Sequence, residues 1–229
     1  MMLRQRLQIY QNEHPFQNLN EGVYDVLYES IIDLSLLPGS ALSETALAEE
    51  MGVSRTPVRS ALFRLRALGL ITQKKGQAFQ VAEIQKNDCR ELMEARLAIE
   101  GQAAWRAAER ANENDRRQMN DCMAAYLEAF KAWDIDGMVE SDHLFHQIIV
   151  TAAHNPVLTE LYARLSPRVL HYRHYLFHRA GEKSLRPVMG ASVRNHRAVC
   201  NAVNLGFPSM ARECMEQDIS GMPDIMDNW

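Results

Sequence analysis

Apolar residues recur at helical spacing at Val23, Val26, Leu27 and Ile31, which predicts a helix ending before the turn signal Pro38-Gly39. Ser43 then reads as the N-cap of a short helix with Leu47, Ala48 and Met51 inward, broken by Gly52. Ser54 caps a further helix. Pro57 falls in its first turn, where the N–H groups lack helical partners anyway, and Val58, Ala61, Leu62 and Leu65 form the buried stripe. Gly69 supplies the backbone freedom to end it. Residues 70–73 and 78–81 pair as two short strands around Lys74-Lys75-Gly76. Beyond Glu83 the strand signal gives way to helical periodicity, with helices expected near 87–110, 113–131, 134–153, 156–180 and 190–205, and a last one from about 208.

The expected fold is therefore mainly α. A winged helix-turn-helix with a small β-hairpin wing spans 21–82, and an all-helical bundle spans 83–229. A chain of 229 residues can give each part its own core. The polar residues 1–20 read as a flexible arm. They lack the apolar stretch of a secretory signal, and no long apolar run follows, so a cytoplasmic protein without a membrane span is expected. Cys89, Cys122, Cys200 and Cys214 include no C-x-x-C pair and read as reduced core thiols.

A net charge of −4 argues against nucleic acid, but the distribution argues for it. Residues 51–82 carry Arg55, Arg59, Arg64, Arg66, Lys74 and Lys75 with no acid among them, a candidate footprint for phosphate. In a helix-turn-helix the second helix enters the major groove by its N-terminus. Arg55 and Arg59 lie there, four apart and opposite the apolar stripe, and a guanidinium can bond a guanine edge or a phosphate bidentately. Ser54 and Thr56 are small hydroxyl donors suited to phosphate, Ser54 while also capping. Arg64 and Arg66 lie later on the helix and read as structural.

The run PGSALSETALAEEMGVSRTPVRSALFRLRALGLI resembles the DNA-binding domain of the GntR family of bacterial regulators. The resemblance implies that Arg55, Thr56 and Arg59 contact operator double-stranded DNA and that the wing tip, Lys75-Gly76, reaches toward the minor groove. Thr45 stands where relatives often have an arginine on the preceding helix, Ser60 where a glutamate usually follows PVR, and the wing KKGQAFQV lacks a glycine nearer the valine. These departures bear on sequence preference. One winged helix reads few base pairs, so a homodimer on a pseudo-palindrome is expected.

In the second domain, Asp142 and His146 are four apart and project from one helix face. Leu205-Gly206-Phe207-Pro208 reads as a turn between His196 and Asp218, which an antiparallel hairpin would place level with each other. Two carboxylates and two imidazoles could then meet at one cation. LMEARLAIEGQAAWRAAER and the D-x-x-F-H…HNP pattern at 142–156 resemble the FCD ligand-binding domain of the FadR subfamily. That domain's common metal set is one Asp and three His, and the matching positions are Asp142, His146, His196 and Asp218, with Asp in place of the last His. A divalent ion (Zn, Ni or Mn) is implied. The extra carboxylate brings the site to neutrality, weakens its pull on an anion and favours a harder ion such as Mn²⁺. The resemblance further implies a small carboxylate effector at the metal, with Arg96 as a possible partner for it or, alternatively, in an ion pair with a neighbouring acid. His143, His154, His171, His174 and His178 crowd the same region and read first as polar helix residues.

The reading that follows is a ligand-responsive DNA-binding regulator without catalytic residues. A metalloenzyme is the rival from another class, since an Asp/His site can activate water. No separate general base stands out, however, and the first domain would go unexplained. A bundle that serves dimerisation alone is the second rival.

Overall fold

In the computed structural model, which describes residues 2–221, the chain divides into two units, Met1–Ile84 and Gln85–Trp229. The first contains α1 (Leu3–Glu13), α2 (Leu19–Ile32), β1 (Ala41–Leu42), α3 (Glu44–Met51), α4 (Arg55–Ala67), β2 (Ile71–Thr72) and β3 (Phe79–Val81). Its core is the expected stripe: Val23, Leu27 and Ile31 of α2 against Val58, Leu62 and Leu65 of α4, all fully buried. Ser43 Oγ accepts from Ala46 N at 3.4 Å to open α3. Gly52 closes it at φ +71°, a left-handed conformation that a side chain would strain.

Two features correct the sequence reading. The arm expected over 1–20 contains a helix, α1, docked on α2 and α3. Leu3 and Leu7 are buried, and Gly22 of α2 leaves room for the Tyr10 ring and Leu7. Arg6 pairs with Asp33 at 2.6 Å. The expected hairpin is in turn a three-stranded antiparallel sheet of order β1-β3-β2. Leu42 stands opposite Phe79, and Ile71 opposite Val81. The added strand directly precedes the Ser43 cap and ties the helix-turn-helix to the wing.

The second unit is helical throughout its described residues: α5 (Lys86–Arg110), α6 (Glu113–Ala132), α7 (Ile135–Ala152), α8 (Pro156–Arg179), α9 (Glu182–Leu205) and α10 (Pro208–Ser220). Helix α5 is central and packs on α7, α8, α9 and α10. Small residues at Gly101, Ala104 and Ala108 let its neighbours approach closely. Helix α9 begins at Glu182 rather than near 190, because it runs through Pro187, which removes one N–H donor without ending the helix. Gly206 at φ +70° and Pro208 at the start of α10 make the expected α9–α10 turn. The hairpin carries Asp218 back beside His196. Among the described residues no helix is long and apolar enough to cross a membrane.

Candidate functional site

In the first unit, α4 presents an exposed polar face. Ser54, Arg55, Thr56 and Arg59 are all exposed, with the arginine side chains about two-thirds accessible, and Thr45 of α3 is exposed nearby in sequence. Ser54 occupies the N-cap without a side-chain cap hydrogen bond, so its hydroxyl stays available. Glu44, in the first turn of α3, holds both arginines: its carboxylate lies 3.2 Å from Arg55 Nη2 and 4.0 Å from Arg59 Nε. Spacing gave no hint of this acid, because the contact joins two helices. Arg64 is structural, bonded twice to Glu21 at 3.0 Å and stacked over Tyr24 at 3.7 Å. Arg66 bonds Gln73 and covers Phe63. Lys75 and Gly76 are exposed at the wing tip, where Gly76 has φ +78°.

In the second unit, Asp142 and His146 of α7, His196 of α9 and Asp218 of α10 converge on one buried cluster, with one ligand atom of each within 4.8 Å of the others. His146 Nε2 lies 3.7 Å from Asp142 Oδ2 and 3.3 Å from Asp218 Oδ2. His196 Nε2 lies 3.5 Å from Asp142 Oδ1 and 3.3 Å from Asp218 Oδ2. Neighbouring donors of a tetrahedral ion with bonds of about 2.0–2.1 Å stand roughly 3.3 Å apart, close to this spacing. The other oxygen of the Asp218 carboxylate, Oδ1, is buried without a hydrogen-bond partner. The donor set fits a divalent ion.

The two imidazoles are positioned by different neighbours. His146 Nδ1 lies 2.6 Å from Glu100 Oε2, which turns Nε2 toward the cluster. Glu100 in turn accepts from Arg96 Nε at 2.6 Å and Nη2 at 3.1 Å, with all three side chains fully buried. His196 stacks on Phe145 with centroids 4.1 Å apart, and Ser192 Oγ lies 3.4 Å from its Nε2. The titration directions follow from these contacts. Burial opposes charge on His146, yet Glu100 outweighs it and the pKa rises. Burial lowers His196 despite the attraction of Asp218. Burial would raise Asp218, but His196 and His146 hold it well below the carboxylate range. Glu100 falls to about 2, because Arg96 and His146 overcome its burial.

Of the two readings of Arg96, the structure shows the ion pair with a neighbouring acid. Its guanidinium is taken up by Glu100, and it does not line the cleft beside the cluster. Arg173 of α8 stands there instead. It contacts Asp142 closely, and its Nη2 lies 3.5 Å from His146 Nε2. Burial and the nearby Arg96 lower its pKa to about 9. The cleft, of 180 Å³, is lined by Arg173, Asp142 and Asp218 on one side and by Met189, Ser192 and Asn195 of α9 on another. Sequence reasoning missed both Glu100 and Arg173. Glu100 sat four residues after Arg96, the spacing of a helix pair, while no spacing leads to Arg173.

The family model for the FCD domain matches residues 91–221, and that for the bacterial regulatory proteins of the gntR family matches 19–81. The chain is 27% identical over 183 residues to the HTH-type transcriptional regulator McbR of Escherichia coli K12, covering 80% of this chain and 81% of that protein. It is 27% identical over 217 residues to the HTH-type transcriptional regulator LutR of Bacillus subtilis 168, covering 85% and 94%. The solved structure of E. coli McbR/YncC superposes with a TM-score of 0.78 at 24% identity, over 93% of this chain and 99% of that one, and so shares the fold.

Proposed function

The chain belongs to the GntR family of bacterial regulatory proteins, in the branch that carries an FCD domain, and is a DNA-binding transcriptional regulator; on that premise we propose that a small carboxylate, bound beside a divalent metal at Asp142, His146, His196 and Asp218, modulates its affinity for operator DNA. Convergence of these four side chains from three helices into one buried cluster carries the reading. The bound ion would act as a Lewis acid toward an effector oxygen.

Charge supports an anionic effector. Two carboxylates and a divalent ion sum to zero, and Arg173, buried in the lining of the cleft, restores one positive charge. Arg173 therefore takes the effector role, while Arg96 and Glu100 orient His146. Ser192 and Asn195 offer further polar partners, and Met189 an apolar wall. Thr45, Ser54, Arg55, Thr56, Arg59, Lys75 and Gly76 form the operator-facing surface, and a homodimer places two copies on a pseudo-palindrome. The protein acts in the cytoplasm, where operator DNA is found.

A gel-shift assay on DNA upstream of its own gene tests this, with metal-loaded and metal-stripped protein and a panel of short mono- and dicarboxylic acids. At least one acid is expected to change the affinity of the loaded protein and to lose that effect in Arg173→Ala. Arg55→Ala with Arg59→Ala should weaken binding by about 1–3 kcal/mol per base-reading arginine while the fold is kept. An affinity indifferent to metal and to every acid would leave the bundle as a dimerisation domain alone.

A further inference from the structure

Outside the buried centre, a second set of ligand-type side chains meets on the α7–α8 pair. Asp136 lies as many residues before Asn155, in the turn joining these helices, as His174 lies after it, so the antiparallel hairpin sets the two level. His174 and His178 are four apart on α8 and share one face. Their rings are nearly parallel, at 9° and 6.0 Å between centroids. Asp136 Oδ1 lies 3.0 Å from His178 Nε2 and 3.8 Å from His174 Nδ1, and one ligand atom of each residue falls within 4.8 Å of the others. Those separations bracket the roughly 3.3 Å between donors of a tetrahedral ion with two imidazoles and a carboxylate.

The surroundings suit a cation. His178 lies in the last turn of α8, where the free carbonyl groups favour positive charge. The N-terminus of α7 has the opposite tendency, but Asp134 caps it and Asp136 adds a second negative charge. His174 is buried, while Asp136 and His178 are exposed, so an ion could enter from solvent and keep water in its remaining positions.

We propose that Asp136, His174 and His178 form a second, solvent-accessible site for a divalent transition metal of the zinc type, separate from the buried cluster. Its ion pins the start of α7 to the end of α8. Those helices also carry Asp142, His146 and Arg173, so the outer ion steadies the frame of the inner site. With two imidazoles, one carboxylate and open positions, the outer site binds more weakly than the inner one and exchanges with solution faster.

The test titrates Zn²⁺ into metal-stripped full-length protein and reads stoichiometry by calorimetry and by elemental analysis after equilibrium dialysis at a fixed free zinc concentration. Wild type is expected to take two equivalents. His196→Ala, which breaks the inner site, should keep one, and adding His178→Ala should remove it or weaken it at least tenfold. In the wild-type background, His178→Ala or Asp136→Asn should cost one equivalent; both residues are exposed, so the fold should persist. If wild type takes one ion and His196→Ala none, the outer site is refuted and the inner one stands. If His196→Ala keeps one ion that His178→Ala abolishes, the outer site stands whatever the inner one does. Zinc uptake that His178→Ala and Asp136→Asn leave unchanged would overturn the proposal, and the three residues would be a surface ion pair.

Discussion

Replacing Glu100 with glutamine removes one charge and almost no volume, from a place where charge is expensive. Its carboxylate accepts two hydrogen bonds from Arg96 and faces His146 Nδ1 at 2.6 Å, with all three side chains sealed from water. Glutamine has one acceptor oxygen where glutamate has two, so at least one of these donors is left facing an amide NH2, and it offsets none of the Arg96 charge. Removing one partner of a buried pair costs about 3–5 kcal/mol, chiefly through the charge left behind. Glutamine keeps part of the hydrogen bonding, so Glu100→Gln should lose about 3 kcal/mol. Trp105, Trp133 and Trp229 all lie after Gln85, so tryptophan fluorescence during urea unfolding reports on the helical unit alone. With a slope of about 2 kcal/mol per molar urea, the midpoint should fall by roughly 1.5 M. A paired change, Arg96→Met with Glu100→Leu, should recover much of the loss, since no orphaned charge remains. A Glu100→Gln midpoint within about 0.3 M of wild type, or a double variant less stable than the single one, would refute the reasoning.

Three further outcomes follow from the same contacts. Glu44 competes with phosphate for Arg55 and Arg59 and repels it, so Glu44→Gln should tighten operator binding severalfold in a gel shift; weaker binding would mean that the acid presents the arginines to DNA. Operator affinity should fall steeply between low and physiological salt through counterion release, and a flat salt dependence would contradict phosphate contacts by the basic segment. Burial holds His143 and His171 near pKa 4, against 6.5 ordinarily. Each therefore adds stability that is full above pH 6.5 and is lost as pH falls toward 4, by up to about 3 kcal/mol apiece. His146, raised instead, contributes stability that is full below pH 6.5 and lost as pH rises through its folded value, so near pH 7 it offsets only a part of this loss. The fluorescence-detected urea midpoint should drop between pH 7 and pH 5, and an unchanged midpoint would count against buried neutral histidines.

Where an element buries a regular apolar stripe between marked ends, the sequence displayed it. Helices α3 and α4 and the α9–α10 turn carry their caps in Ser43, Ser54 and Gly206, and their inward residues at helical period. Helix α1 escaped because its eleven residues bury only Leu3 and Leu7, too few to set a period. Strand β1 escaped because two residues have no alternation to read. The four clustered residues were legible as two pairs, through one helix spacing and one hairpin register, and the resemblance to the FCD domain joined the pairs. Glu100 and Arg173 were not, because a charged residue on a helix looks the same whether it faces solvent or a buried partner. Only the packing of α5, α7 and α8 decides that Glu100 stands behind His146 and Arg173 before Asp142.

The most direct test of a metal-dependent sensor is diffraction from crystals grown with zinc, recorded on both sides of the zinc absorption edge. An anomalous peak is expected among Asp142, His146, His196 and Asp218, about 2.0–2.1 Å from both imidazole Nε2 atoms, with Arg173 drawn back from Asp142 toward the cleft. Crystals that hold zinc elsewhere while Arg173 stays on Asp142, with no anomalous density in the buried cluster, would contradict the account.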